Sequence, residues 1–393
     1  DVCSSDLPRV RLIGNDGTFT VPSTASLRLD RAQTITVVAK PRTAGLHSAI
    51  LVVDDPRTGG VDHRVMLAVV AAEDLKALAY SLSKTGEVER NLVKRHFITV
   101  PEGTKALQVN LGGIATNSQV RWIAFNPYGV PVDSTATTQC YTNFPGSSCD
   151  ANSRAYSNPI PGVWELIVES RRTSPFLDNP YRLTASAQGV TVDPAIQTVA
   201  APIGVATPVT WTVRNDFGPV TVTPQGGNLG SALSQRPTIA DAAAQEFEVA
   251  VPAGAQRLDV TIGNPSDLSA DLDLTVYNAA GELVGQDADG DSEESVSIAS
   301  PAPGTYTVVV DGYSVPAGNT EYDYLDVFFS SALGTLAVPG TAITLSGGQS
   351  ATVTGTLTAA APAAAGRQLF GEMTVVTPAG AVLGTGSVLV SAP

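Results

Sequence analysis

The chain is poor in everything that would mark a helical, membrane-spanning or nucleic-acid-binding protein. Only 15% of its 393 residues are charged, and it holds two methionines, three histidines and three cysteines. No apolar run approaches the roughly eighteen residues that a membrane-spanning helix needs. No long window repeats apolar residues at helical spacing, and lysine is scarce. Gly (36), Pro (27) and much Val, Thr, Ser and Ala fill the gap, a composition of strands and turns. The length suits roughly two to four domains. The expected fold class is all-β, a multidomain array of β-sandwiches and jelly-roll-like modules.

Basic residues are missing from one segment above all. Residues 241–330 hold 17 acids against a single base, Arg257, whereas the rest of the chain is close to neutral. The net charge of −14 is therefore local. Such a surface repels nucleic acid and anionic lipid, so neither is expected as a partner. It suits bound cations or plain solubility.

An active-site signature is missing too. His47, His63 and His96 each lie in or beside a strand-like run, in no base motif. There is no G-x-S-x-G elbow, and the S-x-x-K match at Ser81–Lys84 lacks the helix that motif requires. Gly384 and Gly386 give only a strand glycine pair, and no zinc-ligand spacing is present. No catalytic residue is expected.

Cys140 and Cys149 bracket the turn-rich CYTNFPGSSC, which points to a short disulfide made in an oxidising compartment; two free loop thiols are the other reading. Such a loop stabilises by about 2.7 kcal/mol on the chain-entropy model. Residues 1–8 carry no initiating Met and no signal segment, and resemble translated sequencing adapter. They are set aside with Cys3, and the chain reads as a carboxy-terminal fragment of something longer.

Four units follow. Residues 9–73 alternate in TASLRLD, QTITVVAK, HSAILVVDDP and HRVMLAVV, and read as part of an immunoglobulin- or fibronectin-like sandwich. Residues 74–189 form a jelly-roll-like module, and residues 243–330 repeat it. EFEVAVPAGAQRLDVTIG matches HFITVPEGTKALQVNLGG at an offset of 151, and LDLTVYNAAGELV matches VRWIAFNPYGVPV at 152. PAPGTYTVVVDGY matches PIPGVWELIVESR at 142. A near-constant offset over three elements marks a duplication, and its one step falls where the first copy carries its cysteine loop. Residues 190–242 and 331–393 each supply too few strands for a core. Together they make a discontinuous fibronectin-like sandwich of about seven strands with the second copy inserted. Simple tandem sandwiches are the alternative.

The one constellation with chemical content lies within Ala270–Tyr313. Asp271 and Asp273, two apart, project from one face of a strand. Asp287, Asp289, Asp291 and Glu293, with Glu294 beside them, follow in the next loop. Crowded carboxylates repel one another unless a cation or wide solvation relieves them, and calcium accepts many oxygens in loose geometry. The loop is not an EF-hand, since counting from Asp287 its sixth position is Ser292 and its twelfth Ile298. Two readings stay open: a calcium site on these acids, or a solvated acidic loop. Tyr313, Tyr322 and Tyr324 are candidates for stacking on a sugar or peptide, whereas alternation turns Trp122, Trp164 and Tyr306 towards a core.

VPAGAQRLDVTI, ADLDLTVYN, DADGDSEESVSI, PAPGTYTVVVDGYSVPAG and YDYLDVF resemble a bacterial pre-peptidase carboxy-terminal domain. With HSAILVVDDP, RHFITVPEG and AAGRQLFGEMTVVT, the order of units from Arg9 to Pro393 is similar to the carboxy-terminal region of large secreted subtilisin-like serine proteases of actinobacteria. The resemblance implies an extracellular, non-catalytic region whose partner is an upstream catalytic domain of the same polypeptide. It would stabilise the enzyme and position protein or polysaccharide substrate, or hold the enzyme near the cell surface. The family's Asp-Thr-Gly, His-Gly-Thr and Gly-Thr-Ser-Met motifs have no counterpart here, so no catalytic residue carries over. A surface adhesin or carbohydrate-binding array without an attached enzyme is the rival reading.

Overall fold

The computed structural model describes residues 7–27, 31–133, 139–145, 147 and 149–391. Among them every regular element is a strand. The protein is all-β, as its Val- and Thr-rich alternation requires. Most of the segment set aside, residues 1–6 with Cys3, lies outside the described residues. The chain divides into two units, Asp1–Gln188 and Gly189–Pro393.

In the first unit, Arg9–Ile13, Gly45–Asp54 and His63–Ala71 pair antiparallel in that order. Of the two alternating runs before His47, Val38–Ala39 pairs with Phe19–Thr20, and Thr24 bridges Arg9 while the Ala25 amide donates to the Pro8 carbonyl (3.0 Å). Residues 28–30 of TASLRLD lie outside the described residues. Ile35 and Val37 pack on the small core of Val10, Leu51 and Val53.

The rest of that unit is a sandwich of two four-stranded sheets. One runs Val120–Phe125, Gly162–Ser170, Val93–Val100, Glu73–Asp74; the other Ser153–Ser157, Ala106–Gly112, Asp178–Gln188, Ser81–Glu89. Trp122, Trp164, Leu166 and Ile98 of the first sheet and Leu107, Val109 and Leu183 of the second are all buried.

The second unit contains the same arrangement again. Leu283–Asp287, Asp271–Tyr277, Gly304–Ser314 and Ala244–Val251 form one sheet; Ser295–Ala299, Ala255–Gly263, Asp323–Ala337 and Gly227–Gln235 are neighbours in the other. Gly227–Gln235 falls outside the repeat read from the sequence, yet it pairs with Asp323–Ala337 as Ser81–Glu89 pairs with Asp178–Gln188.

The flanks pair with each other. Thr207–Asn215 lies against Ser350–Ala359, Ile196–Ala200 runs parallel to Val382–Ser391, and Val220–Gln225 adjoins Gln368–Val376. Gly227–Gln235 also pairs with Gln368–Val376, and Asp323–Ala337 with Ser350–Ala359, so flanks and repeat share a sheet.

Candidate functional site

The acidic residues lie where the second copy crosses from one sheet to the other. Leu283–Asp287 belongs to the first sheet and Ser295–Ala299 to the second, so residues 288–294 make the crossing. Extended backbone stops at Asp287 and bends follow from Asp289 to Ser292. Short acids suit this path because their carboxylates accept nearby amides. The Asp291 amide donates to Asp289 Oδ1 (3.1 Å), the Glu293 amide to Asp291 Oδ1 (2.8 Å), and the Ser295 amide to Asp287 Oδ2 (3.0 Å).

The crossing is stitched to both sheets. Buried Ser292 donates its hydroxyl to the Ala270 carbonyl (2.6 Å), and the Asp291 carbonyl accepts the Leu272 amide (3.1 Å). On the other side, the Glu294 carbonyl accepts the Ile262 amide (3.0 Å).

Oxygens of Asp289, Asp291 and Glu294 lie within 4.8 Å of one another. Asp289 and Asp291 are exposed, but Glu294 is only 1% exposed and its Oε2 has no hydrogen-bond partner. Burial, with the Asp287 and Asp289 carboxylates close by, pushes the Glu294 carboxyl up to about 7. The donor set is all oxygen, which suits a hard cation and not zinc. Two oxygens each about 2.4 Å from a calcium ion lie no more than about 4.8 Å apart, so the spacing fits one ion.

Asp271 and Asp273 fall outside that group. They sit on the outer face of their strand, where Asp273 registers with Asp311. Burial, then the charges of Asp271 and Asp311, raise the Asp273 carboxyl. Asp271 Oδ1 is itself buried without a partner. Glu293 turns aside: its Oε1 accepts the Asn264 amide (2.8 Å), and its side chain fills the space left by Gly263, where a Cβ would come within 2.3 Å of Oε2. The inward member is Glu294. A two-residue period carried past Asp287 selects Glu293, but the bends reset the parity.

Of the three tyrosines, only Tyr313 presents its ring to solvent. Tyr322 and Tyr324 are fully buried: the Tyr322 hydroxyl donates to Gln245 Oε1 (2.7 Å), and Tyr324 stacks on Phe247 at 3.9 Å. Trp122, Trp164 and Tyr306 face the cores. Cys140 and Cys149 are joined in a disulfide with their Cα atoms 5.8 Å apart. It lies between Val120–Phe125 and Ser153–Ser157, in the first copy's counterpart of the acidic crossing.

Residues 6–71 match the family model of the Ig-like domain in actinomycete serine proteases. Residues 246–312, which include the acidic crossing, match the bacterial pre-peptidase C-terminal domain. The chain carries both domains. Pyrolysin of Pyrococcus furiosus is 27% identical over 322 residues, 80% of this chain. The matched region is only 22% of pyrolysin's length. The crystal structure of tripeptidyl peptidase 2 is similar over 100% of this chain and 37% of its own, at 13% identity and a TM-score of 0.48.

Proposed function

We propose that this chain is the non-catalytic carboxy-terminal region of a secreted subtilisin-like serine protease. It stabilises a catalytic domain in the same polypeptide and positions protein substrate, with exposed Tyr313 as a stacking ring. Two protease-associated domains on one chain carry this reading, together with the likeness to pyrolysin over 80% of the chain. The domains that go with it are 9–73, 74–189, a discontinuous 190–242 plus 331–393, and an inserted 243–330. The disulfide supports an extracellular site of action. There the acidic crossing holds calcium, with Asp289, Asp291 and Glu294 as its ligands.

The upstream reading frame is the first test: it is expected to encode Asp, His and Ser protease motifs, and a frame without them would sink the proposal. In the joined enzyme, deleting residues 9–393 should shorten the thermal inactivation half-life several-fold while leaving turnover of a short peptide unchanged. An unchanged half-life would refute the stabilising role.

A further inference from the structure

We propose that a calcium ion on Asp289, Asp291 and Glu294 clamps the sheet-to-sheet crossing of the pre-peptidase domain, replacing the Cys140–Cys149 disulfide that clamps the same crossing in the preceding repeat. The proposal rests on the cation reading above and assigns the ion a structural task.

The two crossings differ in length but share their anchors. Each begins at an Asn turn: Asn126 Oδ1 accepts the Tyr128 and Val130 amides, and Asn278 Oδ1 accepts the Ala280 and Glu282 amides. Each ends on a strand in the same register, Arg154 opposite Val109 and Val296 opposite Val260. Between these anchors the described residues of the first copy show two fasteners. One is the disulfide. The other is a buried ion pair, Arg154 Nη1 to Asp133 Oδ1 at 2.9 Å.

The second copy has neither. No cysteine follows Cys149, and the counterparts of Asp133 and Arg154 are Gly285 and Val296. Those two meet so closely that a Cβ on Gly285 would lie 2.3 Å from Val296 Cγ1. The crossing instead carries Asp287, Asp289, Asp291 and Glu294, like charges that push it open. The Glu294 carboxylate is the independent sign of a ligand. It is 1% exposed and lies within the oxygen cluster; its Oε1 accepts the Asp289 amide at 3.4 Å, while its Oε2 has no donor, an arrangement that a cation would relieve. Three protein carboxylates with two exposed members leave room for water to complete a loose shell, which suits calcium better than magnesium.

The test uses the full chain, stripped with chelator, and calcium chloride as the probe. Calorimetric titration should give one site with a dissociation constant of about 0.1–1 mM, the range of extracellular modules, and weaker binding of magnesium. Glu-C cleavage after Glu293 and Glu294 should slow about tenfold in saturating calcium, because cleavage follows the open population. Chymotryptic cleavage at Tyr141 and Phe144 should respond to reductant and not to calcium. Asp289→Asn with Asp291→Asn should abolish the calcium response. Glu294→Gln should also abolish it while leaving the calcium-free protein at least as stable as the parent, a result that a purely structural glutamate would not give. Binding that leaves Glu-C cleavage unchanged would overturn the clamp but not the cation reading. No binding at several millimolar calcium, or binding retained in the double variant, would overturn both.

Discussion

His47 is held at both ring nitrogens in the Ig-like domain. Nδ1 lies 2.6 Å from Asp16 Oδ2 and 3.0 Å from the Thr18 hydroxyl, and Nε2 lies 2.9 Å from the Thr43 carbonyl. The Asp16 carboxylate, then the Thr43 carbonyl, raise the imidazole pKa. Hydrogen bonds from Thr18 and His47 lower the Asp16 carboxyl to about 2. The sign for His47 follows from linkage: its folded pKa exceeds its unfolded value of about 6.5, so its contribution is complete below that pH and is lost as pH rises through the folded value. Asp16 acts oppositely, contributing above its unfolded value of about 3.9 and losing that contribution as pH falls towards about 2. Melting of the wild type should therefore show the first domain weakening from about pH 6.5 upwards. His47→Gln should flatten that slope, and an unchanged slope would show that another group titrates there. None of this was legible beforehand, because Asp16 and Thr18 reach His47 only through a loop closure that periodicity does not encode.

Among the elements, turns carried more information than strands. The Asn126 and Asn278 turns have the same bonds, and their glycines, Gly129 and Gly281, share a left-handed φ of 76° and 77°. The Pro-Gly steps are equally alike: Trp164 donates to the Ile160 carbonyl (2.8 Å) as Tyr306 donates to the Ala302 carbonyl (3.1 Å). These are the residues on which the 152 and 142 offsets rest, so the repeat could be read because turn chemistry is local. Gly304 is the sharpest case, with φ at 148° and a Cβ that would lie 2.6 Å from Ala279 Cβ. Gly304→Val should destabilise the pre-peptidase domain by about 1–3 kcal/mol, seen as a shifted urea midpoint. Insensitivity to the substitution would mean that the Ala279 turn yields freely. The acidic crossing was only partly legible for the converse reason. Its acids stand out in composition, but which of Glu293 and Glu294 turns inward depends on bends that no strand period describes.

Across the second unit, the excess negative charge sits on residues 241–330, and one basic residue from the strands that follow reaches back to it. Arg367 Nη2 meets Asp326 Oδ1 at 2.5 Å, with side chains 10% and 0% exposed. The same guanidinium donates to the Ser231 hydroxyl (2.7 Å) and carbonyl (3.0 Å), and the Tyr324 hydroxyl donates to Asp326 Oδ2 (3.2 Å). Ser231 and Asp326 belong to paired strands of the repeat, whereas Arg367 directly precedes Gln368–Val376 of the flank. That Gly227–Gln235 serves both repeat and flank was not legible beforehand, because a strand's second neighbour is a long-range choice. A buried pair of this kind gives little net stability, since desolvation offsets attraction, yet breaking it strands a charge. Arg367→Met should cost about 3–5 kcal/mol, measured by hydrogen exchange across Asp323–Ala337. Adding Asp326→Leu should restore most of that loss, because an apolar pair fills the same volume without an uncompensated carboxylate. A single-variant cost below about 1 kcal/mol would place the pair in water and remove its role in fastening Gln368–Val376 to the repeat.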